Sequence, residues 1–277
     1  MTWTPDARPL YAAALAGGYA LPAFNVCSLE MAKGCLEAAE AAGAPVVLQT
    51  YPADLAQASP HVFAQMVRAL ADEVGVPVAL HLDHGQDFSQ VMSCLRAGYG
   101  SVMFDGQGLA LDEVLAQTAH LAEIAHACGA ALEVSAESFG LPGADDNALE
   151  STDPAGAARV RAAGADLVAC AVGSEHGHAS RLDLELLAQV AGAVRGPLVL
   201  HGGSGIHPDD LRAAVRLGVA KVNVGSALYR AVRAAWAGAD ALPTHRAGYA
   251  SVRAAVREAA APYLDVLHPI SGPRETP

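Results

Sequence analysis

Residues 77–98 have the sequence PVALHLDHGQDFSQVMSCLRAG, and this stretch contains the pattern that decides the fold. A proline starts a continuous apolar run, the run ends in the polar group HLDHG, and Gly98 closes the segment that leads to the next run. Continuous apolar runs are typical of parallel strands buried on both faces, and glycine commonly ends a helix. The segment therefore predicts a buried strand followed by a helix.

Similar apolar runs occur along the whole chain. Together with 77–85, they predict strands over 22–27, 45–51, 101–106, 131–137, 166–174, 197–204 and 220–226. Between the runs, apolar residues recur every three or four positions, as in 29–43 and 111–130, which predicts helices. Eight strand–helix units in about 230 residues favour an α/β fold of the (β/α)8 TIM barrel type, with a doubly wound open sheet as the alternative.

The composition indicates one folded domain. The chain has 277 residues, of which 52% are hydrophobic and 17% charged, so it has enough apolar surface to build a large core. No low-complexity linker divides it. We expect a single domain over residues 1–277, with a helical extension over about 227–277.

Charge and hydropathy narrow the range of partners and locations. The net charge of −12 argues against binding to nucleic acid or anionic lipid. No apolar run approaches the roughly 18 to 20 residues of a membrane span, and the first ten residues lack the pattern of a secretion signal. Five cysteines without a CxxC pair predict reduced thiols. We expect a cytoplasmic protein with a small-molecule ligand and no membrane partner.

In a TIM barrel the functional side chains lie at the C-terminal ends of the strands. Three predicted strands place a histidine there, at His84, His176 and His201, and neutral imidazoles suit Zn²⁺. We predict these three as metal ligands. Glu137 and Asp105 end the intervening strands and are candidates for the metal sphere or for a second cation.

Asp83 directly precedes His84 and is the candidate acid/base. Adjacent residues of a strand point to opposite faces, so Asp83 and His84 can both serve one site only if the pleat breaks at the strand end. His81 shares a face with Asp83 and could orient it.

Glycine-rich segments follow the last two strands. These are HGGSG at 201–205 and NVGS at 223–226. TIM barrels frequently bind phosphate at this position through backbone N–H groups. We predict a phosphate site there.

The chain resembles the class II, metal-dependent fructose-bisphosphate and tagatose-bisphosphate aldolases. The motifs are, in chain order, AFNVCSLE, HLDHG, SVMFDG, SAES, AVGSEHG, PLVLHGGSGI and KVNVGS. The resemblance implies a zinc enzyme that reversibly cleaves a ketose phosphate or bisphosphate, such as fructose 1,6-bisphosphate or tagatose 1,6-bisphosphate. The products would be dihydroxyacetone phosphate and an aldehyde. It also implies a homodimer or homotetramer.

The resemblance also implies roles for individual residues. Asp83 would be the catalytic acid/base, and Asp145 would exchange the proton at the dihydroxyacetone phosphate carbon. Zinc would be held by His84, His176 and His201, with Glu137 able to join. The implied substrate and phosphate contacts are Asn25, Gly177, Gly202, Ser204, Asn223, Gly225 and Ser226.

Two alternatives to a zinc aldolase stay open. Around the end of the fifth strand this chain has Ser135, Ser138 and Phe139 where the family usually shows EAELG, which leaves room for a non-catalytic or divergent sugar-phosphate-binding barrel. A Schiff-base aldolase would need a lysine in the pocket. Lys221 is the candidate, although its place at the start of the eighth strand favours a structural or surface position.

Overall fold

A closed barrel of eight parallel strands forms the centre of the molecule. The computed structural model describes residues 2–136, 151–174, 178–238 and 242–268. The strands pair in chain order, and β1 also pairs with β8. They are β1 (Leu21–Asn25), β2 (Val46–Thr50), β3 (Val78–Gly85), β4 (Ser101–Phe104), β5 (Ala131–Ser135), β6 (Leu167–Ala169), β7 (Leu198–Leu200) and β8 (Val219–Val224). The predicted TIM barrel is confirmed, and closure between β1 and β8 excludes the open sheet.

Helices surround the barrel. Those within the described residues are α1 (Arg8–Gly17), α2 (Leu29–Ala42), α3 (Pro60–Ala71), α4 (Phe88–Ala97), α5 (Leu111–Ala127), α6 (Pro154–Ala162), α7 (Leu184–Val194), α8 (Pro208–Arg216), α9 (Ser226–Ala237) and α10 (His245–Leu267), with a 3₁₀ turn at Asp54–Ala56. Local sequence sets their ends: Ser28 and Asp87 accept hydrogen bonds from the first turns of α2 and α4, and the left-handed Gly98 ends α4.

The N-terminal end of the barrel is filled by apolar side chains. Tyr11 and Ala14 of α1 are buried in one cluster with interior strand residues such as Leu21, Val47 and Leu167. The backbone N–H of Ala7, just before α1, donates to the carbonyl that precedes β4. This end is therefore closed, and a ligand must enter from the C-terminal ends of the strands.

Two helices follow β8, within the segment for which the sequence predicts a helical extension. α9 begins two residues after β8 ends, and most of its surface stays accessible. α10 packs against α2 and α9 and buries Val252, Val256 and Leu264. Among the described residues, no helix combines the length and apolar character needed to cross a membrane.

The pairing of β3 with β4 is irregular at the end that faces the open side. Its register shifts between Leu82 and Gly85. His84 has a left-handed backbone, with φ of 54°. Gly85 lies so close to β4 that an added Cβ would sit 2.3 Å from the carbonyl oxygen of Met103. A side chain at this position would force the two strands apart.

Replacing Gly85 by Ala should therefore destabilise the protein. We expect the free energy of unfolding to fall by about 1–3 kcal/mol, the usual cost of overpacking, when urea unfolding is followed by circular dichroism. The control is Gly192→Ala on α7, where nothing lies within 4 Å of the new Cβ. It should leave stability unchanged or raise it by about 0.5–1 kcal/mol. An equal loss in both variants would contradict the packing argument.

Candidate active site

The irregular end of β3 brings Asp83 and His84 to one site. In a regular strand, neighbouring residues point to opposite faces. Here the left-handed backbone of His84 and the register shift interrupt the pleat. The carboxylate of Asp83 and the ring of His84 consequently face the same space, with Oδ1 and Nε2 4.0 Å apart. The pleat thus breaks at the strand end, which is the condition under which Asp83 and His84 can both serve one site.

Asp83, His84 and His201 form a group that could hold a metal ion. One ligand atom from each lies within 4.8 Å of the others. The two imidazole rings have their centroids 4.7 Å apart. The predicted residues His176, Glu137, Asp145 and Gly177 lie outside the described residues. Two of the three predicted histidine ligands are thus described, and they are adjacent in space.

Each of these histidines has a carboxylate on one ring nitrogen. Nδ1 of His84 lies 2.9 Å from Asp105, and Nε2 of His201 lies 3.2 Å from Glu133. A carboxylate on one nitrogen fixes the tautomer and leaves the opposite nitrogen as the metal ligand. The ligand atoms would be Nε2 of His84 and Nδ1 of His201. Asp105, predicted for the metal sphere, contacts His84 on the nitrogen that a metal would not use.

Three amide side chains hold the carboxylate of Asp83. Asn25 and Gln49 donate to Oδ2 at 2.8 and 3.1 Å, and Asn223 donates to Oδ1 at 2.8 Å. Asp83 is almost fully buried, so these amides, rather than solvent, set the orientation of its carboxylate. Sequence reasoning missed Gln49. Its signal is a polar residue in the middle of the apolar run PVVLQTY.

A buried ion pair lies beneath the site. Nζ of Lys221 lies 2.8 Å from Oε2 of Glu133 and 2.8 Å from Oδ1 of Asn223, and both charged residues are fully buried. Burial alone would raise the pKa of Glu133, but the Lys221 ammonium holds that pKa well below its ordinary value. Lys221 therefore connects His201, through Glu133, with Asp83, through Asn223. The surface position considered for Lys221 is wrong, and the structural one is confirmed.

His81 belongs to this buried layer. Its Nδ1 lies 2.8 Å from Oγ of Ser101, and its Nε2 lies 3.6 Å from Oε2 of Glu133. Burial lowers its pKa well below the ordinary value, which favours the neutral imidazole. The suggestion that His81 orients Asp83 is wrong, because these contacts direct its ring towards β4 and β5.

A cavity of about 500 Å³ opens above these residues. Its wall includes the predicted contacts Asn25, Gly202, Ser204, Asn223, Gly225 and Ser226. It also includes Ser135 at the end of β5 and three residues that the sequence did not indicate, Tyr51, Gln107 and Tyr229. The group that could hold a metal ion and the glycine segments therefore lie around the same cavity.

The glycine segments meet at the start of α9. Gly225 is the N-cap residue and has no side chain that could cap α9, and the first turn of α9 contains no acidic residue. Oγ of Ser204 accepts a hydrogen bond from the backbone N–H of Ala227 at 3.0 Å. An added Cβ at Gly225 would lie 2.8 Å from Oδ1 of Asn25. A helix N-terminus bordered by glycines attracts anions, so this end of the cavity suits a phosphate group.

Comparisons with known proteins find relatives that match most of this chain. The family model described as fructose-bisphosphate aldolase class-II matches residues 6–269. A fructose-bisphosphate aldolase of Streptococcus pyogenes is 38% identical over 232 residues, which cover 80% of this chain and 78% of that protein. One from Mycoplasma pneumoniae is 34% identical over 245 residues, covering 83% and 84%.

The same likeness appears in solved structures. The crystal structure of the YdjI aldolase from Escherichia coli K12 matches with a TM-score of 0.84 and 30% identity, over 95% of this chain and 96% of that chain. The fructose-bisphosphate aldolase of Campylobacter jejuni, at 24% identity and a TM-score of 0.80, shares the fold over 94% and 93% of the two chains.

Replacing Lys221 by Met should destabilise the protein strongly, because Glu133 would lose its buried counter-charge. We expect the free energy of unfolding, from urea titrations, to fall by about 3–5 kcal/mol. The double variant with Glu133→Gln should recover part of that loss. Lys33→Met, which breaks the exposed pair with Glu73, is the control and should cost at most about 1 kcal/mol. A loss for Lys221→Met no larger than the control would contradict the ion-pair account.

Proposed function

The chain belongs to the class II fructose-bisphosphate aldolase family, a family of metal-dependent carbon–carbon lyases, and on that premise we propose that it reversibly cleaves a ketose phosphate. The products would be dihydroxyacetone phosphate and an aldehyde. The observation that carries the proposal is the position of Asp83 beside His84 and His201, in the same cavity as the glycine segments. One end of that cavity suits a phosphate, and the other functional groups suit proton transfer next to a metal.

The residues present fit a zinc ion. Two imidazoles with fixed tautomers supply nitrogen ligands, and nitrogen donors suit Zn²⁺ better than Mg²⁺ or Ca²⁺. His84 and His201 would hold the metal, together with the predicted ligand His176, and Glu137 stays a candidate. When bound, zinc supplies a Lewis acid that stabilises the negative charge developing on the ketone oxygen during cleavage.

Asp83 is the proposed acid/base. Cleavage of the bond between C3 and C4 requires removal of the proton from the C4 hydroxyl, and the electrons of the broken bond then move towards the ketone. A carboxylate that is fixed in direction by three amides keeps an oxygen aimed at that hydroxyl without reorganisation. In the reverse direction, the protonated Asp83 returns the proton to the new hydroxyl.

The remaining roles follow from the same arrangement. Gly202, Ser204, Gly225 and Ser226 would bind the phosphate on the dihydroxyacetone side through backbone N–H and hydroxyl groups. Asp145 stays the predicted donor of the proton to C3. A second cation, a homodimer or homotetramer and a cytoplasmic location also stay predictions.

The alternative is a barrel of this family that binds sugar phosphates without cleaving them. Ser135 at the cavity wall, in the segment that departs from the family pattern, is the observation that favours it. Zinc content without turnover on any ketose phosphate would support this alternative. The intact arrangement of amides around Asp83 favours the catalytic function, because binding alone does not require an oriented base.

Asp83→Asn tests the acid/base role. The substitution removes the base but keeps a side chain of the same size, so we expect turnover of the preferred ketose phosphate to fall about 10²–10⁴-fold. Zinc content, measured by atomic absorption, should be unchanged. Asp72→Asn at the exposed end of α3 is the control and should keep full activity. Unchanged turnover would remove Asp83 from this role, and loss of zinc would instead make Asp83 a ligand.

Chelation and ligand removal test the metal site. Treatment with a strong chelator should abolish cleavage, and added Zn²⁺ should restore it. His84→Ala and His201→Ala should each lower zinc affinity at least about 100-fold, because a tetrahedral site loses one of its few ligands. The exposed His61 on α3, replaced by Ala, is the control. Full activity in the chelator, with substrate-dependent trapping by borohydride, would contradict the metal mechanism.

A further inference from the structure

The cavity of the candidate site continues into a second cavity at the ends of β3 and β4. This second cavity has a volume of about 440 Å³. It shares Tyr51, His84, Asp105 and Gln107 with the first one, so the two spaces are contiguous beside the metal group. We call this second space the β3–β4 cavity. Its volume and position allow it to hold a part of the substrate that extends beyond the reacting carbons.

The order of the strands fixes which part of the substrate that is. In the closed ring, β3 and β4 lie opposite β7 and β8. The proposed phosphate site lies at β7 and β8, and His84 and Asp83 lie between the two ends. A ketose phosphate whose dihydroxyacetone half is bound at the glycine segments therefore directs its aldehyde half into the β3–β4 cavity.

The two ends of the site differ at their helix N-termini. α9, at the phosphate end, starts at Gly225 without an acidic residue in its first turn. α4, at the other end, starts at Asp87, and that carboxylate accepts the backbone N–H of Gln90 at 2.8 Å. The positive end of the α4 dipole is thus already occupied by a negative charge. The N-terminus of α4 could otherwise bind a second phosphate, but the Asp87 carboxylate already neutralises its positive end.

The other polar groups of the β3–β4 cavity suit hydroxyl groups. The amides of Gln86, Gln107 and Gln117 can donate and accept hydrogen bonds, and the carboxylate of Asp105 can accept them. Asp87 and Asp105 would both repel a phosphate dianion. Among the described residues, no lysine or arginine lines either cavity. Of the residues outside them, 137–150, 175–177 and 239–241 contain neither residue type in their sequence, and 269–277 contain one arginine, Arg274.

We propose that the aldehyde half of the substrate is an uncharged polyhydroxylated chain, so that the enzyme prefers ketose 1-phosphates over ketose bisphosphates. This inference rests on the proposed function, because it assigns the two halves of an aldolase substrate to the two ends of the site. It deepens that function by naming the class of aldehyde.

The test measures the two claims separately on the zinc-loaded protein. Exchange of a carbon-bound proton of dihydroxyacetone phosphate with deuterium, followed by NMR, reports the proposed function without any aldehyde. Aldol addition is then compared for D-glyceraldehyde, L-glyceraldehyde and D-erythrose against D-glyceraldehyde 3-phosphate. We expect exchange, and for the best neutral aldehyde a kcat/KM at least about 10-fold above that of the phosphorylated one. Exchange together with a preference for the phosphorylated aldehyde overturns the inference alone, whereas no exchange overturns the proposed function.

Two variants test the electrostatic reason. Asp87→Asn keeps an N-cap side chain but removes its charge, and Gln107→Lys adds a cation at an exposed position of the cavity wall. For D-glyceraldehyde 3-phosphate, we expect kcat/KM to rise about 3- to 10-fold in the first variant and more in the second. For the best neutral aldehyde, kcat/KM should change less than about 2-fold in Asp87→Asn, whereas in Gln107→Lys it should fall, because that variant loses an amide that can bind a hydroxyl group. Asp72→Asn is the charge-matched control, and an equal response in that control, or none in both variants, would overturn the proposal.

Discussion

The left-handed backbone at His84 is the constraint on which the site depends. In an unbroken strand, either Asp83 or His84 would point away from the interior, and a base and a metal ligand could not be neighbours in the chain and in space. The register shift between β3 and β4 absorbs this irregularity, and the contact of Gly85 with β4 leaves no room for a side chain. Non-glycine residues adopt this conformation at a cost, so it persists because the surrounding barrel imposes it.

Beneath this irregular strand end, the barrel interior contains a layer of polar side chains, whereas the rest of the interior is mostly apolar. Lys221 joins Glu133 and Asn223, and these in turn contact His201 and Asp83. A buried ion pair adds little net stability by itself, but its geometry is specific because every member must be satisfied. One ammonium thus sets the directions of a candidate metal ligand and of the candidate base. A substitution of Lys221 should therefore destabilise the protein more than a substitution of any exposed lysine or arginine.

Much of the architecture was predictable from the sequence. The eight predicted strands begin within one residue of the observed ones, because buried parallel strands leave a continuous apolar signal. Most predicted strand ends run too far, since polar residues of the site follow the last ladder hydrogen bonds. The contacts of Glu133 and Lys221 were not predictable, because the two residues are far apart in the chain and meet only through closure of the barrel. The same holds for Gln49, whose partner Asp83 lies on the next strand.

The central claim is that two histidines, each oriented by a carboxylate, present one nitrogen apiece to a zinc ion beside Asp83. Anomalous diffraction at the zinc edge, from crystals of the zinc-loaded protein, tests it most directly. The account predicts one strong peak about 2.0–2.1 Å from Nε2 of His84 and Nδ1 of His201, with Asp105 and Glu133 still on the opposite nitrogens. A peak elsewhere, or zinc bound through Nδ1 of His84 or Nε2 of His201, would contradict it.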